Sequence, residues 1–166
     1  MELEIDWGMT KTAILSECGK YRYSLTRSWN PEKERVCFVM LNPSTADASN
    51  DDPTILRCIA FAKAWGYGSI EVVNLFAYRA TDPRELKNVG ATVSVGPLND
   101  KYLKLACDRS ELTVAAWGVH GALWNRGQTV RLTLSEAQCL GVTKEGHPRH
   151  PLYVRADEPR VSFGYE

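Results

Sequence analysis

The chain has 166 residues, 44% hydrophobic and 24% charged, enough for one compact domain with a sizeable core and too short for two of ordinary size. Twenty Lys and Arg balance twenty Asp and Glu, so the net charge at pH 7 is zero, which argues against the broad basic footprint of a dedicated duplex binder. No apolar run approaches the ~20 residues of a membrane span, and the acidic lead Met1-Glu2-Leu3-Glu4-Ile5-Asp6 is unlike the basic start of a signal peptide; a cytoplasmic protein with no membrane partner is expected.

From the amino terminus, two alternating runs, Lys11 to Ser16 and Tyr21 to Arg27, flank Glu17-Cys18-Gly19-Lys20, and this pattern predicts an antiparallel hairpin. The apolar run Val36 to Leu41 then reads as a buried strand that stops at Asn42-Pro43-Ser44-Thr45-Ala46-Asp47, because proline has no amide donor and its polar neighbours favour turns. Asp51, Asp52 and Pro53 suit a helix start, and Ile55, Ile59, Ala62 and Trp65 recur at helical spacing until Gly66 and Gly68. A second strand, Ile70 to Val73, ends at Asn74-Leu75-Phe76-Ala77-Tyr78-Arg79. A helix over Leu98 to Cys107 follows, then a third strand, Leu112 to Ala116, ending at Trp117-Gly118-Val119-His120. A helix from about Ala122 to Leu134 and a short strand from Ala137 to Val142 lead into Gly146-His147-Pro148-Arg149-His150-Pro151-Leu152-Tyr153.

Near-continuous apolar strands alternating with helices predict an α/β domain over residues 1–166, three-layered αβα around a central, mainly parallel sheet of about four strands with the hairpin as an appendage. In such a sheet all carboxyl ends share one edge, where ligands bind. The exits at Asn42 to Asp47, Asn74 to Arg79, Trp117 to His120 and His147 to Tyr153 are therefore expected to converge on one pocket, which gathers all three histidines.

Each candidate also has a structural reading. Asn42 before Pro43 can simply turn the chain. Asn74 ends a buried strand, so its amide must satisfy a donor and an acceptor, a pair that matches a nucleobase edge. Asp51 and Asp52 read as helix caps, whereas Asp47, still in the loop, is a candidate base. Arg79 is a candidate phosphate contact. Ser44, Thr45, Gly118 and His120 are candidate substrate contacts. His147 and His150, each before a proline, can be aimed by stiff backbone to move a proton or donate to a developing anion. Lys144, Arg149 and Arg155 make the same segment locally basic. The five cysteines include no Cys-x-x-Cys pair, and no phosphate-binding loop, dinucleotide fingerprint or nucleophile elbow occurs. Neither a metal nor an organic cofactor is expected.

Leu41-Asn42-Pro43-Ser44, Val72-Val73-Asn74-Leu75 and His147-Pro148-Arg149-His150-Pro151-Leu152, each after a sheet strand and in that order, together resemble the uracil-DNA glycosylase superfamily. The chain from Tyr21 to Tyr153 also looks like an uncharacterised bacterial and phage family marked by Asn-Pro-Ser-Thr-Ala and His-Pro-Leu-Tyr type motifs. The glycosylase resemblance implies N-glycosidic bond hydrolysis on a nucleobase in DNA or in a modified nucleotide. Asn42 would position water, Asn74 would read the base, and His147 or His150 would stabilise the leaving base. Leu41 stands where the superfamily's loop is led by glycine, Ser44 to Asp47 does not continue its pattern, and the late loop carries an extra residue. Two alternatives stand beside this reading: a non-catalytic nucleic-acid or nucleotide binding module with the same pocket, and a metal-assisted hydrolase of a small phosphorylated substrate using His147, His150 and Asp47.

Overall fold

The computed structural model describes residues 8–163. Its centre is one seven-stranded sheet in the order β1-β2-β4-β3-β5-β6-β7, built from β1 (Thr10–Leu15), β2 (Arg22–Ser28), β3 (Arg35–Met40), β4 (Ser69–Asn74), β5 (Leu112–Ala115), β6 (Gln138–Cys139) and β7 (Val161–Ser162). The four strands β4, β3, β5 and β6 are parallel, while β2 joins β4, and β7 joins β6, antiparallel. The sheet is thus larger than the four strands expected. The hairpin is not an appendage, since β2 pairs with β4 from Leu25↔Val72 to Ser28↔Ser69.

Helices cover both faces. Helix α1 (Pro53–Ala64) packs Ile55, Cys58, Ile59 and Ala62 against Val36, Phe38, Met40, Ile70 and Val72. The alternate residues Cys37, Val39 and Val73 face the other core, with Leu103 and Ala106 of α4 (Asn99–Asp108) and Val130 of α5 (Arg126–Arg131). Two five-residue helices, α2 (Glu85–Val89) and α3 (Ala91–Val95), lead from β4 towards α4; they are too short to have left a periodic signal. The connection from β3 through α1 reaches β4 on one side of β3, and the connection from β4 through α4 reaches β5 on the other. The order reverses at β3, which opens a crevice at the carboxyl edge.

The helix expected from Ala122 to Leu134 is broken. A 3-10 stretch over Val119–Asn125 precedes α5, with Trp124 and Asn125 at positive φ (50° and 57°). On either side of the break, Gly121 and Gly127 lie against the Trp117 indole, where a Cβ would fall 2.1 and 2.8 Å from ring atoms. No helix among the described residues is long and apolar enough to cross a membrane.

Two buried ion clusters fasten the sheet. On the α1 face, Arg27 is fully buried; its Nε donates to Asp51 at 2.7 Å and its Nη2 to the carbonyl of Asp47 at 2.6 Å. On the α4 face, the buried Glu71 accepts from Ser24 Oγ at 2.6 Å, from Arg35 at 3.3 Å and from both Nε and Nη2 of Arg109. Desolvation pushes the Glu71 pKa up, but the hydrogen bonds from Arg109 and Ser24 outweigh it and hold the carboxyl below its ordinary 4.5.

Two expectations follow. Arg27→Ala leaves Asp51 with Lys11 alone and the carbonyls of Asp47 and Asn50 without their donor, and urea denaturation should show a loss of about 3 kcal/mol, the usual cost of breaking a buried pair; a loss below about 1 kcal/mol would contradict this account. For Glu71, the folded pKa lies below the unfolded one, so its stabilisation is fully present above about pH 4.5 and fades as pH falls through the folded value. Glu71→Gln should therefore be less stable than the parent at pH 7 and show a flatter loss of melting temperature between pH 5 and about pH 3.

Candidate functional site

The residue that ends β4 carries the least ordinary side chain in the structure. The backbone around Asn74 is fully engaged: the carbonyl of Met40 accepts from Leu75 N at 2.9 Å, and the carbonyl of Asn74 accepts from Asn99 Nδ2 at 2.9 Å. Asn99 also reaches the carbonyl of Leu75 at 3.1 Å, which Arg126 Nε holds from the other side at 3.0 Å. The side chain of Asn74 is 1% exposed, yet neither its Oδ1 nor its Nδ2 has a hydrogen-bond partner. It lines a cavity of about 490 Å³ at the carboxyl edge of the sheet.

All four parallel-strand exits contribute to that cavity. The β3 exit supplies Leu41, Asn42 and Ser44, and the start of α1 adds Asp52 and Thr54. From the β4 exit come Asn74 and Ala80 to Pro83 in part, from the β5 exit Trp117, Gly118 and His120, and from the segment after β6 Arg149, His150, Leu152 and Tyr153. Gly118 has φ 73°, a conformation that favours glycine, and its N–H donates to the carbonyl of Pro148 at 2.9 Å, tying the β5 exit to the histidine loop.

Asn42 serves two ends at once. Its Nδ2 donates to the carbonyls of Pro43 (3.1 Å) and Ala80 (2.8 Å), while Ala80 N donates back to Pro43 at 3.0 Å. The β3 and β4 exits are thereby bridged, and Oδ1 is left as an acceptor without a protein partner among the described residues. His150 is held through Nδ1, which accepts from Leu152 N at 3.2 Å as the cap of the 3-10 turn Pro151–Tyr153. A neutral ring held so carries its proton on Nε2. Burial pushes the His150 pKa below 6.5, against a smaller pull upwards from Asp52, so the neutral donor form prevails at pH 7.

Of the residues singled out in the sequence, Asn42, Ser44, Asn74, Gly118, His120 and His150 meet around this cavity. Four do not. Asp47 turns inward on its own loop, accepting from the backbone of Ser49 and Asn50 and from Asn50 Nδ2 at 2.8–3.1 Å; those bonds hold its carboxyl below the usual range. Thr45 is solvent-exposed. Arg79 closes the β1–β2 turn, with its N–H on the carbonyl of Lys20 and its Nη1 on that of Gly19. His147 lines a separate cavity of about 400 Å³ beside Trp117, Gly127 and Arg131. His147, His150 and Asp47 thus share no site, and among the described residues no group of three or more His, Cys, Asp or Glu is placed to hold a metal ion. Asp52 is the α1 cap, with Oδ1 accepting from Ile55 N at 2.9 Å, and also lines the cavity.

Arg22 carries no signal in the sequence. Strict alternation in β2 would put Arg22 on the α4 face with Ser24, which bonds Glu71 there. Instead Ile14 pairs with Ser24 and Leu15 with Arg22, leaving Tyr23 as an extra residue. Tyr23 stacks on Tyr102 of α4, ring centroids 5.2 Å apart, and this bulge turns Arg22 onto the opposite face, as bulges commonly re-aim a side chain. There Arg22 is 2% exposed and lines the cavity. Its Nη1 donates to the carbonyl of Ala46 at 2.9 Å, and its Nε has no partner. Burial, only partly offset by Asp52, lowers its pKa to about 10.

No curated protein and no solved structure matches the chain. Residues 22–152, which run from Arg22 to the Leu152 of the cavity rim, match the family described as "Protein of unknown function (DUF1643)"; the chain belongs to the DUF1643 family.

Proposed function

We propose that the cavity binds a nucleobase, and that the protein hydrolyses an N-glycosidic bond in DNA or in a modified nucleotide, as the likeness of its three strand-exit motifs to the uracil-DNA glycosylase superfamily implies. The observation that carries the reading is the Asn74 amide. Each buried polar group without a partner costs about 1–3 kcal/mol, and Asn74 has two. A planar base offering an adjacent acceptor and donor on one edge recovers both terms at once.

The surrounding groups support hydrolysis in particular. Cleavage breaks the bond from sugar carbon to base nitrogen, forms a bond from that carbon to water oxygen, and leaves an electron pair on the base, which in the end takes up the proton that the water loses. Asn42 Oδ1, fixed because its Nδ2 is committed to Pro43 and Ala80, is suited to accept from that water and orient it. His150, neutral with Nε2 as donor, is suited to stabilise negative charge on the departing base without first giving up a proton. Tyr153, 81% exposed and with its ring centroid 5.4 Å from that of His150, offers a stacking face at the mouth.

Base release from uracil-containing, mismatched and modified-base DNA and from modified nucleotides is the direct test. Wild type should release a base from at least one of these, and Asn42→Ala should be slower by about 100-fold, the scale of a misplaced reactant; equal inertness of both on every substrate would refute the hydrolase. Asn74→Leu removes the two orphaned groups at similar volume. It should leave the ligand-free protein as stable or about 1 kcal/mol more stable in urea while abolishing base binding, whereas a structural Asn74 would make the same variant distinctly less stable. Ring-proton NMR should place the His150 midpoint below 6.5. Because the folded pKa is the lower one, the stability its neutral form supplies is present above about 6.5 and is lost as pH falls below that value.

A further inference from the structure

Arg22 is a buried cation with part of its guanidinium left open. The Nη1 end holds the carbonyl of Ala46; of the two donors of the side-on edge, Nε is buried without a partner and Nη2 makes no hydrogen bond to the described residues. The same edge is filled at another place in this protein: Arg109 presents Nε and Nη2 side by side to the two carboxylate oxygens of Glu71. Two parallel donors match two oxygens of one anion, carboxylate or phosphate.

The cavity's charge points the same way. Although the whole chain is neutral, Arg22 and Arg149 line the cavity against Asp52 alone, and one Asp52 oxygen is committed to the backbone of Ile55. Ser44 and Thr54 add hydroxyl donors, with Ser44 two residues before the carbonyl that anchors Arg22. The volume of about 490 Å³ lies within the ~300–1,000 Å³ of cavities that enclose a whole small ligand, beyond what a lone base fills. A polynucleotide, by contrast, would need a run of surface Lys and Arg along its backbone, which the zero net charge does not suggest.

We infer that the ligand of this cavity is a free nucleoside monophosphate, whose phosphate takes the open Nε and Nη2 edge of Arg22 while its base meets Asn74; the inference rests on the base-binding reading above and adds the phosphate and the mononucleotide. Arg22 is then the residue that separates nucleotides from nucleosides. A hydrogen bond to a charged group contributes about 1.5–3 kcal/mol, which corresponds to a preference of roughly ten- to a hundredfold.

Titration calorimetry at low salt, with the common ribo- and deoxynucleosides, their 5′-monophosphates and inorganic phosphate as separate probes, tests this. At least one monophosphate should bind about tenfold or more tightly than its own nucleoside. In Arg22→Met, which replaces the buried cation by an apolar side chain, the two should bind alike, and Arg22→Lys should recover only part of the difference. Asn74→Leu should weaken nucleoside and nucleotide together. Nucleoside and nucleotide binding equally well to wild type would overturn the phosphate inference and leave base recognition standing, a result that needs no variant to fold. Oligonucleotides binding more tightly than every mononucleotide would overturn the mononucleotide assignment. Inorganic phosphate binding that Arg22→Met removes, with no nucleotide preferred over phosphate, would overturn the base reading and the nucleotide with it, leaving Arg22 only as an anion site. Absence of binding by every probe would overturn both readings.

Discussion

Two arginines on one strand hold the loop on which the cavity depends. Arg27 and Arg22, near the two ends of β2, both reach under the segment that follows β3: Arg27 binds Asp51 and the carbonyls of Asp47 and Asn50, and Arg22 binds the carbonyl of Ala46. A loop of polar residues leaving a buried strand has carbonyls that must find donors away from water. Here the donors come from the strand that precedes β3 in the chain but is separated from it in the sheet by β4. The course of the loop from Ala46 to Asp51, which leads into Asp52 at the start of α1, is therefore set from β2.

That dependence explains which parts of the molecule could be read from its residues alone. The parallel strands were legible because β3, β4 and β5 are largely apolar and stop at abrupt polar signals, and the order of exits on one edge follows from parallel pairing. Asn74 was legible for the same reason. Arg22 was hidden because its meaning depends on a one-residue bulge at Tyr23, and a period-2 pattern cannot carry that information. The broken helix after Gly121 was hidden as well, since its break lies in the positive φ of Trp124 and Asn125, which no apolar period announces. Strand β7, two residues long, has no pattern to read.

The pair of late histidines shows how backbone decides between residues that sequence treats alike. His147 and His150 sit three apart, each followed by proline. The chain reverses just before them, where Thr143 N donates to the carbonyl of His147 at 2.8 Å and Arg149 N donates to the carbonyl of Gly141 at 3.0 Å, and both histidines follow on the returning limb, where an odd spacing in extended chain sends them to opposite sides. His147 consequently lies on the side of Gly127 and Arg131, and His150 on the side of Asp52 and Gly118. His150 is there pinned through Nδ1, and burial depresses its pKa. The two features act together, because the bond that fixes the tautomer and the burial that keeps the ring neutral both leave Nε2 as a donor.

Zero net charge and recognition of an anion are not in conflict once burial is considered. Surface cations act through water and are screened within about 10 Å at ordinary salt, so a protein that relies on them needs many. A guanidinium withdrawn from water interacts at a lower effective dielectric and is weakly hydrated to begin with. Its cost is visible in Arg22, whose proton is held less firmly than usual, and that cost falls when an anion arrives. One buried arginine with an open edge, beside an amide with neither atom paired, is thus a sharper recognition device than a basic surface, and it favours ligands small enough to enter the cavity whole.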